Sequence, residues 1–331
     1  MRDKMKNKKE ADYYQKIENN RVKCFLCPHN CKIAIGESGK CMVRKNEDGK
    51  LFTKNYGKVS STGIDPVEKK PLYHFHPGKG ILSLGTFGCN FSCGFCQNWR
   101  ISQKQPPLRK LLPKEAVEMA GEKDVFGIAY TYSEPMVWFE YLMDTCELAK
   151  KKNIKNVLIT NGYINSKPLK DLLPLIDAAN VDLKAFQNNF YNENCDGDLK
   201  PVLNTIEMMY KANIHIEITT LLIPGLNDES KELVELFSWI ANLNSEIPLH
   251  ISRYFPGYRS DIPPTPIKKL KKAYKIARKY LDYVYLGNIG NDDSRDTDCP
   301  DCGYKVIERN NYDVAVKLDR KYCSECGRKI I

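Results

Sequence analysis

The chain of 331 residues is long enough to bury at least one large hydrophobic core, either as one domain with small appendages or as two domains. No apolar run reaches the length of a membrane span, and the first ten residues, MRDKMKNKKE, are too charged for a signal peptide, so the sequence predicts a cytoplasmic protein that crosses no membrane. Thirteen cysteines, an odd number in a reducing compartment, indicate metal thiolate sites rather than disulfides, and 51 basic against 41 acidic residues give a net charge of +10.

The N-terminal part of the chain contains a basic segment and a cysteine-rich module. Residues 1–22 are rich in lysine, and we expect them to form a mobile tail or a loosely attached helix. The module that follows, residues 23–60, holds four cysteines: Cys24, Cys27, Cys31 and Cys41. Four thiolates can close around a zinc ion or around a second iron–sulfur cluster, and we favour zinc here. We expect His29 to be a surface residue rather than a ligand.

Between residues 61 and 290 the sequence alternates between strand and helix patterns. Six strand-like segments are each followed by a helical pattern: GILSLGTFG, FGIAYTYSEP, NVLITNG, NVDLKAF, IHIEITTLLIPG and PLHISRYF. A further segment, YVYLGNIG, is a candidate for a last strand. This alternation predicts an α/β fold with a parallel sheet and outer helices, arranged as a partial (βα)6 barrel rather than an open doubly wound sheet. The sixth helix, residues 267–281, has one apolar face opposite its lysines, which is typical of a solvated outer helix.

Polar clusters follow the predicted strands at the points where they end. TYSEP follows the second strand, TNG the third and PGLND the fifth, while DLK ends the fourth and His250 lies within the sixth. The carboxyl ends of parallel strands form the catalytic edge in folds of this kind. The common placement of these clusters therefore predicts a single active site.

Cys89, Cys93 and Cys96 form a C-x3-C-x2-C pattern in the loop after the first of these strands. A [4Fe–4S] cluster takes four thiolates, one for each iron, so three thiolates from one loop would leave one iron open to an outside ligand. A structural zinc site usually uses C-x2-C pairs and closes its coordination, which this spacing does not match. The triplet therefore predicts a cluster with an open iron beside a pocket.

The segment CNFSCGFC, with Phe95 before its last cysteine, resembles the signature of the radical S-adenosylmethionine (SAM) superfamily, and the resemblance spans about residues 80 to 290. Four segments are similar to those of a narrower group, the AmmeMemoRadiSam-system radical SAM enzymes: CFLCPHNCKIAIGESGKCMVRKN, GCNFSCGFCQNWRISQ, YTYSEP and PVLNTI. That group is related to the pyruvate formate-lyase activating enzymes.

The resemblance implies an enzyme whose [4Fe–4S] cluster binds the amine and carboxylate of SAM at the open iron. The reduced cluster would cleave the sulfonium, and the 5′-deoxyadenosyl radical would abstract hydrogen from a small-molecule or protein substrate that the sequence does not identify. The resemblance also implies an external electron donor of the flavodoxin or ferredoxin type.

The resemblance further implies a SAM pocket at the strand ends. Ser133 and Glu134 would stand where the superfamily usually has a glycine-glycine-glutamate segment that holds the methionyl amine, although Tyr132 and Ser133 replace the glycines. Three residues would face the SAM ribose or carboxylate: Asn161, Asp182 and Lys184. His250 is a further candidate for the same pocket.

The C-terminal segment, residues 291–331, contains two C-x2-C-G knuckles on either side of a hairpin pattern with NN at its turn. Its four cysteines are Cys299, Cys302, Cys323 and Cys326. The pattern predicts a zinc-ribbon or rubredoxin-like module. Zinc and iron both accept four thiolates, and we favour structural zinc because so short a segment has no core of its own.

Other functions remain open at this stage. The chain could be a glycyl-radical enzyme activase, an RNA-modifying radical SAM enzyme or a non-catalytic scaffold that carries a cluster. The sequence has no interleaved basic and aromatic stretch, which argues against nucleic acid as a partner. We expect Cys146 to lie in the core, and Cys195 to lie in a loop after the fourth strand as a small buried residue.

Overall fold

The computed structural model describes residues 8–123, 125–290 and 292–331. The N-terminal part contains seven short strands in its described residues: β1 Lys9–Glu10, β2 Tyr14–Lys16, β3 Val22–Cys24, β4 Lys32–Ile33, β5 Arg44–Glu47, β6 Lys50–Thr53 and β7 Lys58–Val59. They form two three-stranded antiparallel sheets, ordered β1-β6-β5 and β2-β3-β4, while β7 pairs with a later strand.

The expected N-terminal tail or helix is wrong for residues 8–22, and residues 1–7 lie outside the described part of the chain. Lys9 pairs with Thr53 and Tyr14 pairs with Cys24, so this segment supplies an edge strand to each of the two small sheets. Ala11 between them is buried. These partners are distant in sequence, and the local run of lysines therefore carried no sign of the pairing.

The central region contains nine strands and eight helices among its described residues. The strands are β8 Ser61–Pro66, β9 Gly80–Gly85, β10 Arg109–Lys110, β11 Gly127–Tyr130, β12 Lys155–Thr160, β13 Ala178–Asp182, β14 His215–Leu222, β15 Leu249–Arg253 and β16 Val284–Gly287. The helices are α1 Trp99–Ser102, α2 Pro113–Glu122, α3 Phe139–Lys151, α4 Ser166–Leu172, α5 Asn188–Cys195, α6 Leu199–Lys211, α7 Ser230–Asn244 and α8 Ile267–Ala277.

Eight of these strands form one sheet in the order β8-β9-β11-β12-β13-β14-β15-β16, and β10 pairs with β7 outside it. The seven strands from β9 to β16 are parallel and neighbours in chain order, and they correspond to the six predicted strand–helix units followed by the last predicted strand. The predicted partial (βα)6 barrel is thereby confirmed. The antiparallel edge strand β8 was not predicted, because STGIDP lacks the apolar pattern of a buried strand.

The strands are largely buried on both faces because helices cover one side and the barrel interior lies on the other. Every residue of β11 is buried, as are the first four of β13. A side-chain carbon at Gly127 would lie 2.6 Å from the carbonyl oxygen of Lys155, so β11 and β12 approach closely there. The two strands therefore leave no room for a side chain at position 127.

Helix α8 lies on the outside, as predicted. Leu270 and Ala277 are buried, and the lysines of the opposite face are exposed. Ile267 is 39% exposed, because it lies in the first turn, where the helix begins. The lysines of this helix are therefore explained by the exposure of that face to solvent.

Residues 292–331 of the C-terminal segment contain five short strands: β17 Thr297–Asp298, β18 Lys305–Asn310, β19 Asp313–Val316, β20 Leu318–Asp319 and β21 Tyr322–Cys323. The predicted hairpin is β18–β19, which closes through Asn310 opposite Asp313. The segment docks on the barrel through a shared apolar cluster that includes Tyr73, Tyr283 and Tyr285. Among the described residues no helix is both long and apolar enough to span a bilayer.

Candidate active site

The loop between β9 and α1 carries the cysteine triplet and is held from several directions. The amide of Gly88 donates to the carbonyl of Ile101 at 2.9 Å, and Gln103 Nε2 donates to the carbonyl of Phe91 at 2.8 Å. Cys96 Sγ lies 3.2 Å from Ser102 Oγ. These contacts present Cys89, Cys93 and Cys96 on the wall of one cavity of about 380 Å³ at the carboxyl ends of the strands.

The same cavity is lined by five of the six residues predicted to bind SAM: Ser133, Glu134, Asn161, Asp182 and Lys184. They follow or end three neighbouring strands, β11, β12 and β13. The structure thus brings the predicted polar ring and the cysteine triplet together. Their role toward SAM stays a prediction.

Glu134 begins the turn of 3-10 helix at Pro135–Trp138 and is buried. Its Oε1 accepts from the amide of Met136 at 2.9 Å and from Thr160 Oγ1 at 2.7 Å, and its Oε2 accepts from the amide of Asn161 at 2.8 Å. A carboxylate has about four acceptor positions, so about one remains for an outside donor. Burial raises the pKa of Glu134 to about 7, and the three hydrogen bonds oppose that rise.

Asp182 and Lys184 both line the cavity and form an ion pair. Lys184 Nζ lies 2.9 Å from Asp182 Oδ2, and the lysine side chain is only 14% exposed while the aspartate is 41% exposed. Burial alone would lower the pKa of Lys184, but Asp182 and the nearby thiols of Cys93 and Cys195 raise it well above its usual value. The lysine therefore stays cationic, and the aspartate keeps acceptor positions open to the cavity.

Asn161 faces the cysteine loop. Its Nδ2 donates to Asn90 Oδ1 at 2.9 Å and lies 3.6 Å from Cys89 Sγ, while its Oδ1 accepts from the amide of Tyr163 at 2.9 Å. Since these contacts occupy both ends of the amide, Asn161 positions Cys89 through the loop. Asn90 completes this connection by donating to the carbonyl of Tyr163 at 2.6 Å, a role that sequence reasoning missed.

His250 lies outside this cavity. Its Nε2 is 2.6 Å from Glu217 Oε2, and it lines a separate cavity of about 260 Å³ toward the C-terminal segment. His250 is the second residue of β15, too early on the strand to reach the carboxyl edge. Ser252, two residues further on the same face, lines both cavities and is the residue of β15 that reaches the candidate site.

Glu217 is the centre of the network that holds His250. It is fully buried and accepts from the amides of Tyr73 and His74 at 2.9 and 2.7 Å, and His215 Nε2 lies 3.0 Å away. Burial raises its pKa, but the hydrogen bonds from His215 and His250 hold the pKa well below its usual range. This network joins the barrel to the segment before β9.

The backbone conformation and contacts of Tyr132 are a second feature that the sequence did not reveal. It has φ +72°, in the left-handed region that glycine favours, at a position where the superfamily usually has glycine. Its hydroxyl donates to Asp65 Oδ2 at 2.8 Å, and Lys70 Nζ lies 4.5 Å from the centre of its ring. Lys70 also pairs with Asp65 at 2.8 Å and lines the cavity, so β8 and the turn after it contribute to the site.

Cys195 is the last residue of α5 rather than part of a loop, so that expectation was wrong. It is fully buried, as is Cys146, in agreement with the expected core positions. The carbonyl of Cys195 accepts from the amide of Ser92 at 3.0 Å, and the carbonyl of Asn194 accepts from the amide of Gly94 at 3.3 Å. The end of α5 therefore supports the cysteine loop.

An aromatic and cationic rim lies beside the cavity, next to Gln97 and Asn98. Trp99 and Tyr258 stack with ring centres 5.1 Å apart and planes at 15°. Lys104 lies 4.9 Å from the ring of Trp99, and Arg259 lies 4.9 Å from that of Tyr258. The two halves of this rim are far apart in sequence, so no local stretch shows the combination.

The C-terminal cysteines form a compact set. Among the described residues they are the only group of three or more cysteine, histidine or carboxylate ligands whose atoms all lie within 4.8 Å of one another. Cys299 and Cys326 have their sulfurs 3.5 Å apart, and Cys302 and Cys323 have theirs 3.6 Å apart. Zinc–sulfur bonds of about 2.3 Å in a tetrahedron put sulfurs about 3.8 Å apart, so this set fits a single ion.

The N-terminal cysteines also come together, since all four line one small enclosed cavity with Arg44 and His29. His29 is half-buried, and its Nε2 lies 2.7 Å from the carbonyl oxygen of Asn90. It therefore links the N-terminal module to the active-site loop, a contact that its expected surface position did not suggest.

Comparison with known proteins agrees with the fold. The family model of the Radical SAM superfamily matches residues 83–237. An uncharacterized protein of Methanocaldococcus jannaschii is 43% identical, covering 97% of this chain and 98% of the relative. A putative glycyl-radical enzyme activating enzyme of the same organism is 30% identical, covering 61% of this chain and 79% of the relative.

Among solved structures, a radical SAM methyltransferase from Sphaerobacter thermophilus has a TM-score of 0.52 at 15% identity, covering 72% of each chain, and shows that the fold is shared. An α/β partial barrel with a C-x3-C-x2-C loop at its catalytic edge defines the class of enzyme. The chain belongs to the radical SAM superfamily.

Proposed function

We propose that the protein cleaves SAM reductively at a [4Fe–4S] cluster bound by Cys89, Cys93 and Cys96, and that its 5′-deoxyadenosyl radical abstracts hydrogen from a substrate not yet identified. The observation that carries the proposal is that the cysteine triplet and five polar strand-end residues line one cavity of about 380 Å³. A cavity of this size is within the usual range for a bound small molecule.

The residues present fit a cluster better than a single ion. Among the described residues, the three loop cysteines are not part of the one group whose ligand atoms all lie within 4.8 Å of one another. No fourth cysteine from the described residues lines this cavity. The donor set therefore suits a cluster with one iron left for an outside ligand, which is the chemistry that reductive cleavage of SAM requires.

The polar wall suits the charged end of SAM. The remaining acceptor position of Glu134 would take a hydrogen from the methionyl ammonium, and the cation of Lys184 would attract the carboxylate. Asp182, which is 41% exposed, would accept from the ribose hydroxyls. Asn161 would act on the cysteine loop instead, because its amide is already bonded at both ends.

The test is anaerobic reconstitution of the full chain with iron and sulfide, followed by dithionite and SAM, with 5′-deoxyadenosine measured by chromatography. Wild-type protein should form the product, and Cys93→Ala should lose both the product and the cluster absorbance. Cys146→Ala is the matched control, because Cys146 is also buried but lies on α3 and does not line the cavity. Product formation by Cys93→Ala at the wild-type rate would refute the proposal.

A second candidate is activation of a glycyl-radical enzyme. It is supported by the putative activating enzyme described above and by a pyruvate formate-lyase-activating enzyme of Clostridium pasteurianum, 22% identical over 62% of this chain and 93% of the relative. The narrower AmmeMemoRadiSam assignment rests on sequence motifs alone.

The two candidates can be separated by incubating the reduced enzyme and SAM with the proteins encoded by neighbouring genes. A glycyl-radical signal in the electron paramagnetic resonance (EPR) spectrum of one of them would establish the activase. Transfer of deuterium from a labelled metabolite to 5′-deoxyadenosine, with no protein radical, would exclude it. In both cases the rim of Trp99 and Tyr258 is the surface that the substrate would meet at the cavity edge.

A further inference from the structure

A second cavity lies beside the active-site cavity, between the barrel and the C-terminal segment. It has a volume of about 260 Å³, and three residues line both cavities: Lys69, Ser252 and Asn288. Because the two cavities share these walls, a molecule in the second cavity would lie next to the first. The residues proposed to bind SAM line only the first cavity.

The walls of the second cavity come from both parts of the molecule. His250 lies on β15, while Asn311 and Tyr312 form the turn of the β18–β19 hairpin. Arg309, at the base of this turn, donates from Nη2 to the carbonyl of Tyr73 at 2.8 Å. The hairpin is therefore bonded to the segment before β9, and the C-terminal segment supplies one wall of the cavity.

The charged side chains on these walls are mainly cationic. Lys69 and Arg295 line the cavity, and Glu68 is the one acidic residue among the described residues that does so. Burial raises the pKa of Glu68, which disfavours its charged form. The walls therefore carry a net positive charge and favour an anion.

Arg295 is the cation that the structure orients most firmly. Its Nη2 donates to the carbonyl of Asn311 at 2.7 Å, and its Nε lies 3.4 Å from the hydroxyl oxygen of Tyr73. Neither partner is a carboxylate, so these contacts orient the guanidinium without balancing its charge. A guanidinium matches the geometry of a carboxylate or a phosphate, to which it can donate two parallel hydrogen bonds.

Lys69 adds a second positive charge where the two cavities meet. Its Nζ lies 3.2 Å from Asp65 Oδ1 and 5.3 Å from the centre of the Tyr312 ring. Asp65 also pairs with Lys70 at 2.8 Å and accepts from the hydroxyl of Tyr132. One carboxylate is therefore shared between two lysines, and this corner of the cavity keeps a positive charge.

We propose that the second cavity binds a small organic anion, whose carboxylate or phosphate group lies against Arg295 and Lys69. The volume of about 260 Å³ is below the roughly 300 Å³ at which pockets for drug-sized ligands begin, so it suits a smaller molecule. Since the site adjoins the active-site cavity, such an anion is the class of substrate on which the radical would act. This assignment as substrate rests on the proposed function, whereas anion binding does not.

The experiment is anaerobic calorimetry on the reconstituted full chain without SAM, in a buffer free of phosphate and carboxylates. The probes are glycerate, glycerol 3-phosphate and glycerol, which share one carbon skeleton. At least one of the two anions should bind with millimolar affinity or better, as expected for a ligand of about ten non-hydrogen atoms or fewer, and neutral glycerol should not bind. The tighter anion identifies the acidic group that the site prefers.

Arg295→Gln should weaken binding of that anion roughly tenfold or more, because it removes charge-assisted hydrogen bonds. Arg320→Gln is the matched control: Arg320 is exposed in the same C-terminal segment but does not line the cavity, so the affinity should stay unchanged. If Arg295→Gln does not fold, Lys69→Gln gives the same decision, because the Lys69 side chain is 44% exposed and an exposed ion pair contributes little to stability.

The absence of binding by both anions would overturn the proposal, and so would equal affinities for the wild type and Arg295→Gln. Weaker binding in Lys184→Gln but not in Arg295→Gln would also overturn it, because the anion would then lie in the active-site cavity. The measurement requires no SAM cleavage. Its failure is therefore distinct from a failure to form 5′-deoxyadenosine.

Discussion

Replacing Glu134 with glutamine should weaken SAM binding without removing the active-site cluster. The change keeps the size of the side chain but removes its charge and one of its two acceptor oxygens. Glu134 accepts three hydrogen bonds, two on Oε1 and one on Oε2, so a glutamine NH2 group must face at least one amide donor. The variant therefore loses the ionic contact to the SAM ammonium and part of the local support.

The magnitude follows from the loss of one charge-assisted hydrogen bond in a buried site, about 1.5–3 kcal/mol. That corresponds to a decrease in SAM affinity of roughly ten- to hundredfold. The iron content should stay at the wild-type value, because Glu134 bonds to Thr160 and to backbone amides rather than to a cysteine.

The effect should depend on pH. Burial raises the pKa of Glu134 to about 7, so the carboxylate that the ammonium needs is mostly present above that pH and mostly protonated below it. The affinity of the wild-type protein for SAM should therefore fall as the pH drops below about 7, approaching tenfold for each further pH unit. The glutamine variant has no such group and should show a flatter profile.

Anaerobic calorimetry with SAM between pH 6 and 8.5 measures both effects. Glu232→Gln is the matched control: its carboxylate also accepts from a backbone amide, that of Phe186 at 2.7 Å, and burial also raises its pKa, but it does not line the cavity. Equal affinities for wild type and Glu134→Gln, with the same pH profile, would show that Glu134 has no contact with SAM.

Three further predictions concern the rest of the site and its supports. Asp182→Asn should weaken SAM binding roughly tenfold by calorimetry with the iron content unchanged, and unaltered affinity would remove it from the pocket. Gly88→Ala should lower the free energy of unfolding by about 1–3 kcal/mol in denaturant titration, because φ at Gly88 is +93° and the new carbon meets the Cys41 carbonyl. Gly94→Ala is the control in the same loop and should be nearly neutral, because its new carbon meets no atom within 4 Å. Cys302→Ser should remove one zinc per chain and lower the melting temperature, because metal–thiolate bonds contribute on the order of 10 kcal/mol to the folding free energy of such modules. Full zinc occupancy in the variant would contradict the ribbon assignment.

Local sequence patterns were enough to predict the barrel and the cluster-binding role of the cysteine loop. The spacing of apolar residues along a strand or helix reflects which of its faces is buried, so it can be recognised locally. Six strand–helix units in succession then leave few topologies other than a parallel sheet with outer helices. The C-x3-C-x2-C spacing is likewise local, so the triplet could be read as a cluster site before any contact was known. The strand-end rule then placed Glu134, Asp182 and Lys184 near that loop, because parallel strands all end at the same edge.

Contacts between distant segments decided the rest. His250 and Ser252 lie on the same face of β15, so the sequence pattern does not distinguish them. Their positions along the strand do: His250 bonds to the buried Glu217, and Ser252, two residues further on, lines the cavity. The lysine-rich segment that includes Lys9 became an edge strand because residues 50–53 offered it backbone partners. The N-terminal cysteines meet the active-site loop where Cys41 packs against Gly88, and no interval between cysteines in the sequence specifies such a contact in space. Sequence therefore determined which residue types were available for metal and cofactor chemistry, while packing between remote segments determined which of them meet and how far apart their ligand atoms stand.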